Sequence, residues 1–341
     1  MIRDVKIYLD PYHMNIVETN TSVLEKGKDN ALNFVGKSII RYLPLILFVV
    51  TIVVIGFYSP HFLKTRNIIN VLRQASALGL MAIGMSVVLI AGGIDLSVPS
   101  VMALSGILGA MLMRAGGNPV LAALLMVLVG SAAGVINGFA VAYLKMIPFV
   151  VTLSMMAIAT GASTWLTNKV SISGINYDFV DTVMGKIWII PVPVIFLLIM
   201  TIIAMILARK CIYGRWLYAV GTNVKTARVS GIPTDRVLFG TYVLSGFFAG
   251  LAAIIVTARL ESASVTMGPD SFVLDIVSSA VVGGVSIYGG VGSPMGAVIG
   301  ALIITLLSNS MNMMRVSYFY TPLLKGCIII LAVALDALRK Q

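Results

Sequence analysis

Along this chain, apolar residues gather into ten long runs separated by short polar connections. The runs lie near Tyr42–Ser59, Ile68–Ala91, Val98–Met113, Pro119–Leu144, Pro148–Asn168, Ile189–Ala208, Val237–Ala258, Phe272–Ile287, Pro294–Met311 and Phe319–Leu338. A bilayer-crossing helix needs about 20 mostly apolar residues, and the third, eighth and ninth runs are short for it. The pattern predicts an all-α polytopic membrane protein of about ten transmembrane helices over residues 42–341, preceded by a mixed-charge tail, residues 1–41. Nothing in the tail has the form of a cleavable signal, so the first run is expected to remain as an anchor.

Two runs are interrupted. Ala91–Ser100 reads AGGIDLSVPS and Val282–Gly296 reads VGGVSIYGGVGSPMG. Paired glycines in both halves of the chain allow two readings. They are broken helices lining a pathway in pseudo-repeated halves, or tight turns between helices. Unpaired backbone survives at membrane depth only inside protein or beside water. Each half also carries a ladder of small residues, Gly130, Gly134 and Gly138 in one and Gly292, Gly296 and Gly300 in the other. Such spacing lets helix backbones approach closely.

The longest polar island inside the apolar region is Arg209–Arg236, with six of the 24 Lys and Arg residues. It contains the punctuation of a short helix. Asn223 suits the N-cap, Val224–Ser230 the helical run and Gly231 the C′ position, while Pro233 blocks continuation. About two turns of helix do not hold together alone in water. The island is therefore either a docking helix or an ordinary cytoplasmic loop carrying positive charge.

Composition narrows the function. With 59% hydrophobic and 11% charged residues the chain is not a soluble domain. A net charge of +11 is explained by the membrane's own rule rather than by nucleic acid: most Lys and Arg fall in the tail, at Lys145, in the central island and at the C-terminus. The positive-inside bias puts these segments, and both termini, in the cytoplasm. Two cysteines rule out a disulfide framework. No metalloprotease, nucleophile-elbow or phosphate-loop motif is present, so the chain is not expected to be an enzyme or to bind a cofactor. Any ATP that drives it binds to another chain.

Asp95 precedes a helix whose first turn holds Pro99, so it either caps that helix or acts as an intramembrane charge. Asp275 at the start of the eighth run reads the same way, and Lys325 either pairs with an acid or reaches an interface. Thr152, Met156, Thr160, Ser163 and Thr167 form one mostly hydroxylated helix face, and Thr305, Ser308, Asn309 and Asn312 form another. Such stripes suit a path for an uncharged, hydroxylated solute, or hydrogen bonding between helices.

Several motifs coincide with one family. GGIDLSV at Gly92–Val98, NIINVLRQ at Asn67–Gln74, KMIPFVVTLSMM at Lys145–Met156, GTNVKTARVSGI at Gly221–Ile232 and GGVSIYGGVGSPMGAVIGALII at Gly283–Ile304 all match its pattern. From about Pro60 onward the chain resembles the permease subunits of ribose-type ABC importers, which serve ribose, other monosaccharides and the furanose-like signal autoinducer-2. The resemblance implies a multi-pass protein of the inner membrane, paired with a second permease subunit, identical or paralogous. It also implies a cytoplasmic ATPase holding ATP-Mg and a periplasmic or tethered sugar-binding protein. On this resemblance residues 209–236 are the coupling loop, with Asn223, Val224, Ala227, Arg228, Ser230 and Gly231 at the ATPase. Gly92, Gly93, Asp95, Ser97, Phe149, Thr152, Met156, Thr160, Gly283, Gly284 and Asn309 belong to the pathway or its structural motifs. Pro99 stands where the family usually has Gly, and Val224 where an acid is common. The alternative is an ion-coupled secondary sugar carrier, for which only Asp95, Asp275 and Lys325 could serve as coupling groups.

Overall fold

Proline and glycine set where the helices begin and end. The computed structural model describes residues 62, 64–268, 271–314, 323, 326 and 327. These belong to the unit Pro44–Gln341; the other unit, Met1–Leu43, lies outside the described residues, as do the run Tyr42–Ser59, Lys325 and most of the run Phe319–Leu338. The helices are α1 (Thr65–Ile90), α2 (Val98–Arg114), α3 (Pro119–Ala142), α4 (Pro148–Thr167), α5 (Tyr177–Met184), α6 (Val192–Arg209), α7 (Ile212–Thr222), α8 (Val224–Val229), α9 (Thr234–Leu260), α10 (Ser271–Val282) and α11 (Pro294–Met313). A small antiparallel hairpin, β1 (Lys186–Ile187) and β2 (Ile190–Pro191), pairs Lys186 with Pro191. Seven segments of the described residues are long and apolar enough to cross a membrane: α1, α3, α4, α6, α9, α11 and the stretch Val265–Val282 that ends with α10.

Five helices, α2, α3, α4, α6 and α11, carry proline in their first two positions. There its missing N–H costs nothing and its fixed φ already suits the helix. Asn118 and Ser293 cap α3 and α11 by accepting from the backbone N–H of Val120 and Gly296. Four helices stop by one device. After α1, α2, α8 and α10 come Gly92, Gly116, Gly231 and Gly284, each with φ between 81° and 86°. In every case two N–H groups turn back onto the last carbonyls, as when Gly92 donates to Leu89 and Gly93 to Val88. Only glycine takes this left-handed backbone freely.

The bundle is built around α1, whose C-terminal two-thirds is buried. α9 crosses α3 antiparallel with almost no side chain between them. A Cβ placed on Gly130 would lie 2.3 Å from the Gly246 carbonyl oxygen, and one on Gly134 would lie 2.4 Å from that of Tyr242. The second ladder works alike, since a Cβ on Gly300 would meet the Ser279 carbonyl oxygen of α10. In lipid such closeness matters because dispersion, not water exclusion, holds helices together.

The antiparallel pairings give the bundle two ends. One gathers the C-termini of α1, α3, α6 and α10 with α7, α8 and the starts of α4, α9 and α11. The opposite end carries Arg114, α5, the hairpin and the bridge between Ile172 and Ala263. α2 does not begin at the first end. Ser245, which meets Asp95 just before α2, lies about 16 Å along α9 from Thr234 at the helical rise per residue. On the far side, the chain leaving α9 descends until Gly268 rests against Pro99. Both α2 and α10 therefore start inside the bundle.

Three expectations are revised. The central island holds α7 as well as the short helix, because Gly214, Leu217 and Val220 recur at helical spacing and bury one face. The loop after α4 contains α5 and a hairpin. Asp275 sits in the second turn of α10, too far in to cap it.

Candidate functional site

The short helix of the island is in place and slightly shorter than expected, with Ser230 as its C-cap rather than its last turn. Asn223 closes α7 and opens α8, its side-chain oxygen accepting from the Thr226 N–H at 3.0 Å. At the other end Gly231 donates to Arg228 and Ile232 to Ala227, both at 3.0 Å. Ala227 is buried and anchors the helix. Val224, Lys225, Ser230 and Gly231 face outward, and Val229 is 89% exposed. The sequence pattern gives no sign that this valine lies on the outer face of so short a helix.

Arg228 is not free. Its guanidinium donates to the Thr234 hydroxyl at 3.1 Å and to Asp235 at 2.7 Å. Asp235 also accepts from Lys145 at 2.6 Å, and Lys145 donates to the Ala142 carbonyl as well. One carboxylate thus fastens α8 to the start of α9 and to the turn between α3 and α4. These side chains are between 38% and 56% exposed, so the pairs are worth little as stability. Their use is to fix position.

Behind α8, α7 lies on the two glycine interruptions, which meet each other. Gly290 donates to the Ile90 carbonyl at 2.9 Å, and a Cβ on Gly289 would lie 3.1 Å from Gly92 and 2.6 Å from the Gly221 carbonyl. Tyr218 of α7 donates to the Gly292 carbonyl at 2.8 Å, and Tyr213 to that of Val237 at 3.1 Å. Burial pushes the Tyr218 phenol up, against the opposing pull of Arg209. It therefore stays protonated and remains a donor. Gly92, Gly93, Gly283 and Gly284 thus take part in helix stops and close contacts. A Cβ on Gly93 would be 2.5 Å from the Tyr242 hydroxyl, and one on Gly283 would be 2.1 Å from the Gly296 carbonyl oxygen.

Deeper in the bundle Asp95 is 2% exposed and fully engaged. One carboxylate oxygen accepts from the Ser97 N–H at 3.0 Å and the Ser97 hydroxyl at 2.6 Å; the other accepts from Ser245 at 2.7 Å. Asn137 of α3 donates to the Ser97 hydroxyl at 3.0 Å. The connection before α2 is thereby bound to α3 and α9. Ser245 and Asn137 carry no motif that a single sequence could reveal. The α4 stripe also turns inward: Thr152 bonds to its own Pro148 carbonyl, Thr160 donates to Ser100 of α2 at 3.1 Å, and Met156 is half-buried. Phe149, by contrast, is exposed at the first turn of α4. At the opposite end Asn309 and Asn67 exchange two amide hydrogen bonds of 3.0 Å, joining α11 to α1. The predicted pathway residues are spread along the bundle, from Phe149 at one end to Asn309 at the other. Among the described residues no three His, Cys, Asp or Glu side chains are grouped to hold a metal.

Residues 67–333 match the family profile described as the branched-chain amino acid transport system / permease component. The chain is 40% identical to the ribose import permease protein RbsC of Bacillus subtilis over 295 residues, covering 86% of this chain and 91% of that one. It is 38% identical to the D-allose transport system permease protein AlsC of Escherichia coli, covering 87% and 92%. It is 32% identical to the xylose transport system permease protein XylH of Haemophilus influenzae, covering 87% and 96%. No solved structure matches it.

Proposed function

The chain belongs to the permease components of the branched-chain amino acid transport system family, and from that premise we propose that it is the membrane subunit of an ATP-driven importer of a ribose-like monosaccharide. Agreement with ribose and allose permeases across nearly their whole length carries the choice of sugar. The expected partners are an ATPase holding ATP-Mg, a periplasmic or tethered sugar-binding protein and a second permease subunit. The membrane is the inner one.

The α7–α8 end faces the cytoplasm in this reading, with the tail 1–41 and the C-terminus on the same side, in keeping with the excess of Lys and Arg there. Residues 209–236 are the coupling loop of the permease domain 42–341, and α8 is the docking helix. Its support is physical: both caps are complete, its outer face carries Val224 and Val229, and Arg228 braces it instead of reaching for the partner. ATP-driven closure of the ATPase would push α8, and through Asp235 the push reaches α9 and the α3–α4 turn. Such a device biases two packed states and holds no channel open.

The ten-helix count and the pseudo-repeat belong to the same proposal. The halves run α1–α2–α3 and α9–α10–α11, in opposite sense, each a long helix, a short one starting inside the bundle and a third returning. α1 packs on α11 as α9 packs on α3. In this scheme the partner of the break at Gly92 is the descent through Gly268, and the break at Gly283 corresponds to the turn at Gly116. Reconstitution tests the function. Uptake of labelled ribose into liposomes should require the ATPase, ATP and the loaded binding protein. Uptake by the chain alone, driven by an ion gradient, would replace this reading with a secondary carrier.

A further inference from the structure

At the α7–α8 end a cleft of about 620 Å³ opens between the elbow joining α6 to α7 and the glycine loop before α11. Arg209, Arg215, Tyr218, Val291 and Gly292 line it, and no acidic side chain does so. Both arginines are exposed, and neither has a carboxylate partner among the described residues. The backbone N–H groups of Val291 and Gly292 find no acceptor among the described residues either. Tyr218 holds this loop by its grip on the Gly292 carbonyl. Two forked cations facing a glycine loop with spare N–H donors form a cradle for tetrahedral oxyanions.

The cleft's surroundings say which oxyanion. On α6, Ile202 and Ile206 lie on the face of Arg209, seven and three residues before it, and both are about half exposed. Val291 and Met295 are exposed on the loop and the first turn of α11. An apolar lane on a membrane-spanning helix therefore runs up to the guanidinium. We propose that this cleft binds the phosphodiester headgroup of an anionic phospholipid, with an acyl chain along the Ile202–Ile206 lane. The site needs only that the chain spans a bilayer and does not depend on the transported sugar.

The test uses the full chain in nanodiscs of mixed phosphatidylglycerol and phosphatidylcholine, released for native mass spectrometry with and without its ATPase. Wild type should retain phosphatidylglycerol over phosphatidylcholine. Arg209→Gln/Arg215→Gln should retain it about tenfold less, as expected for loss of charge-assisted bonds. Arg215→Gln alone, outside the spans, should fall between and guards against misfolding; size-exclusion profiles check both variants. Equal retention by wild type and double variant, or no preference over phosphatidylcholine, overturns the proposal. So does displacement of the lipid by millimolar inorganic phosphate, which would make the ligand free phosphate. Unchanged lipid with loss of the ATPase would assign the arginines to a protein contact instead.

Discussion

Replacing Gly231 separates a backbone requirement from every other reason for a glycine there. Gly231 has φ 81°, and a Cβ built on it would meet nothing within 4 Å. A Cβ therefore meets no steric obstacle, and the effect of a side chain there is chiefly conformational. For an L-residue the left-handed region costs roughly 1–2 kcal/mol, somewhat more if β-branched, while asparagine tolerates it. Gly231→Val therefore works against the two bonds that end α8, from Gly231 to Arg228 and from Ile232 to Ala227. Each is worth about 1 kcal/mol net, so the strain rivals what the termination returns. A shift of about 1.4 kcal/mol is tenfold in population, so α8 should lose its fixed end in a substantial share of molecules. The measurement is ATPase activity stimulated by loaded binding protein in the reconstituted complex, beside sugar uptake and a melting curve. Gly231→Val should uncouple the two activities at unchanged melting temperature, and Gly231→Asn should stay near wild type. Equal behaviour of Val and Asn, whether both inert or both damaging, would refute the argument from backbone angle.

Single cysteines at Lys169 and Lys225, with Cys211 and Cys327 replaced, should react with an impermeant maleimide from opposite faces of the membrane. Gly130→Val should lower the melting temperature and abolish uptake, since overpacking against the Gly246 carbonyl costs about 1–3 kcal/mol or more; a wild-type melting curve would refute the close crossing. Ser245→Ala removes one of the donors to buried Asp95 and should destabilise by about 1–3 kcal/mol, with Ser245→Thr largely restoring thermal stability. Asp235→Asn should change stability by less than about 1 kcal/mol, because its ion pairs are exposed, yet lower uptake by freeing α8.

Apolar length and proline made the spans legible, and the local chemistry of Asn223 and Gly231 made α8 legible to within a residue. Both are properties of neighbouring residues. α7 is not legible because Arg209, Lys210 and Arg215 mask its apolar face in a chain otherwise so apolar. The bond between Asp95 and Ser245 joins residues 150 apart, and no spacing in one sequence encodes it. Spacing shows that α4 is polar on one face, but polarity does not say whether that face meets water or another helix. Thr160 meets Ser100. The two glycine interruptions were recognisable as unusual, yet their mutual contact depends on α7 lying across both.

That contact also sets an order of events during synthesis. The carbonyl of Ile90 ends a helix that enters the membrane early, and the N–H it receives belongs to Gly290, about 200 residues later. At roughly 5–20 residues per second, translation takes on the order of 10–40 seconds to supply it. Until then the first half of the chain sits in the bilayer with its seam open. A nascent chain halted before the glycine loop would be threaded yet unsealed, a state a membrane protease could distinguish from the finished protein by that seam alone.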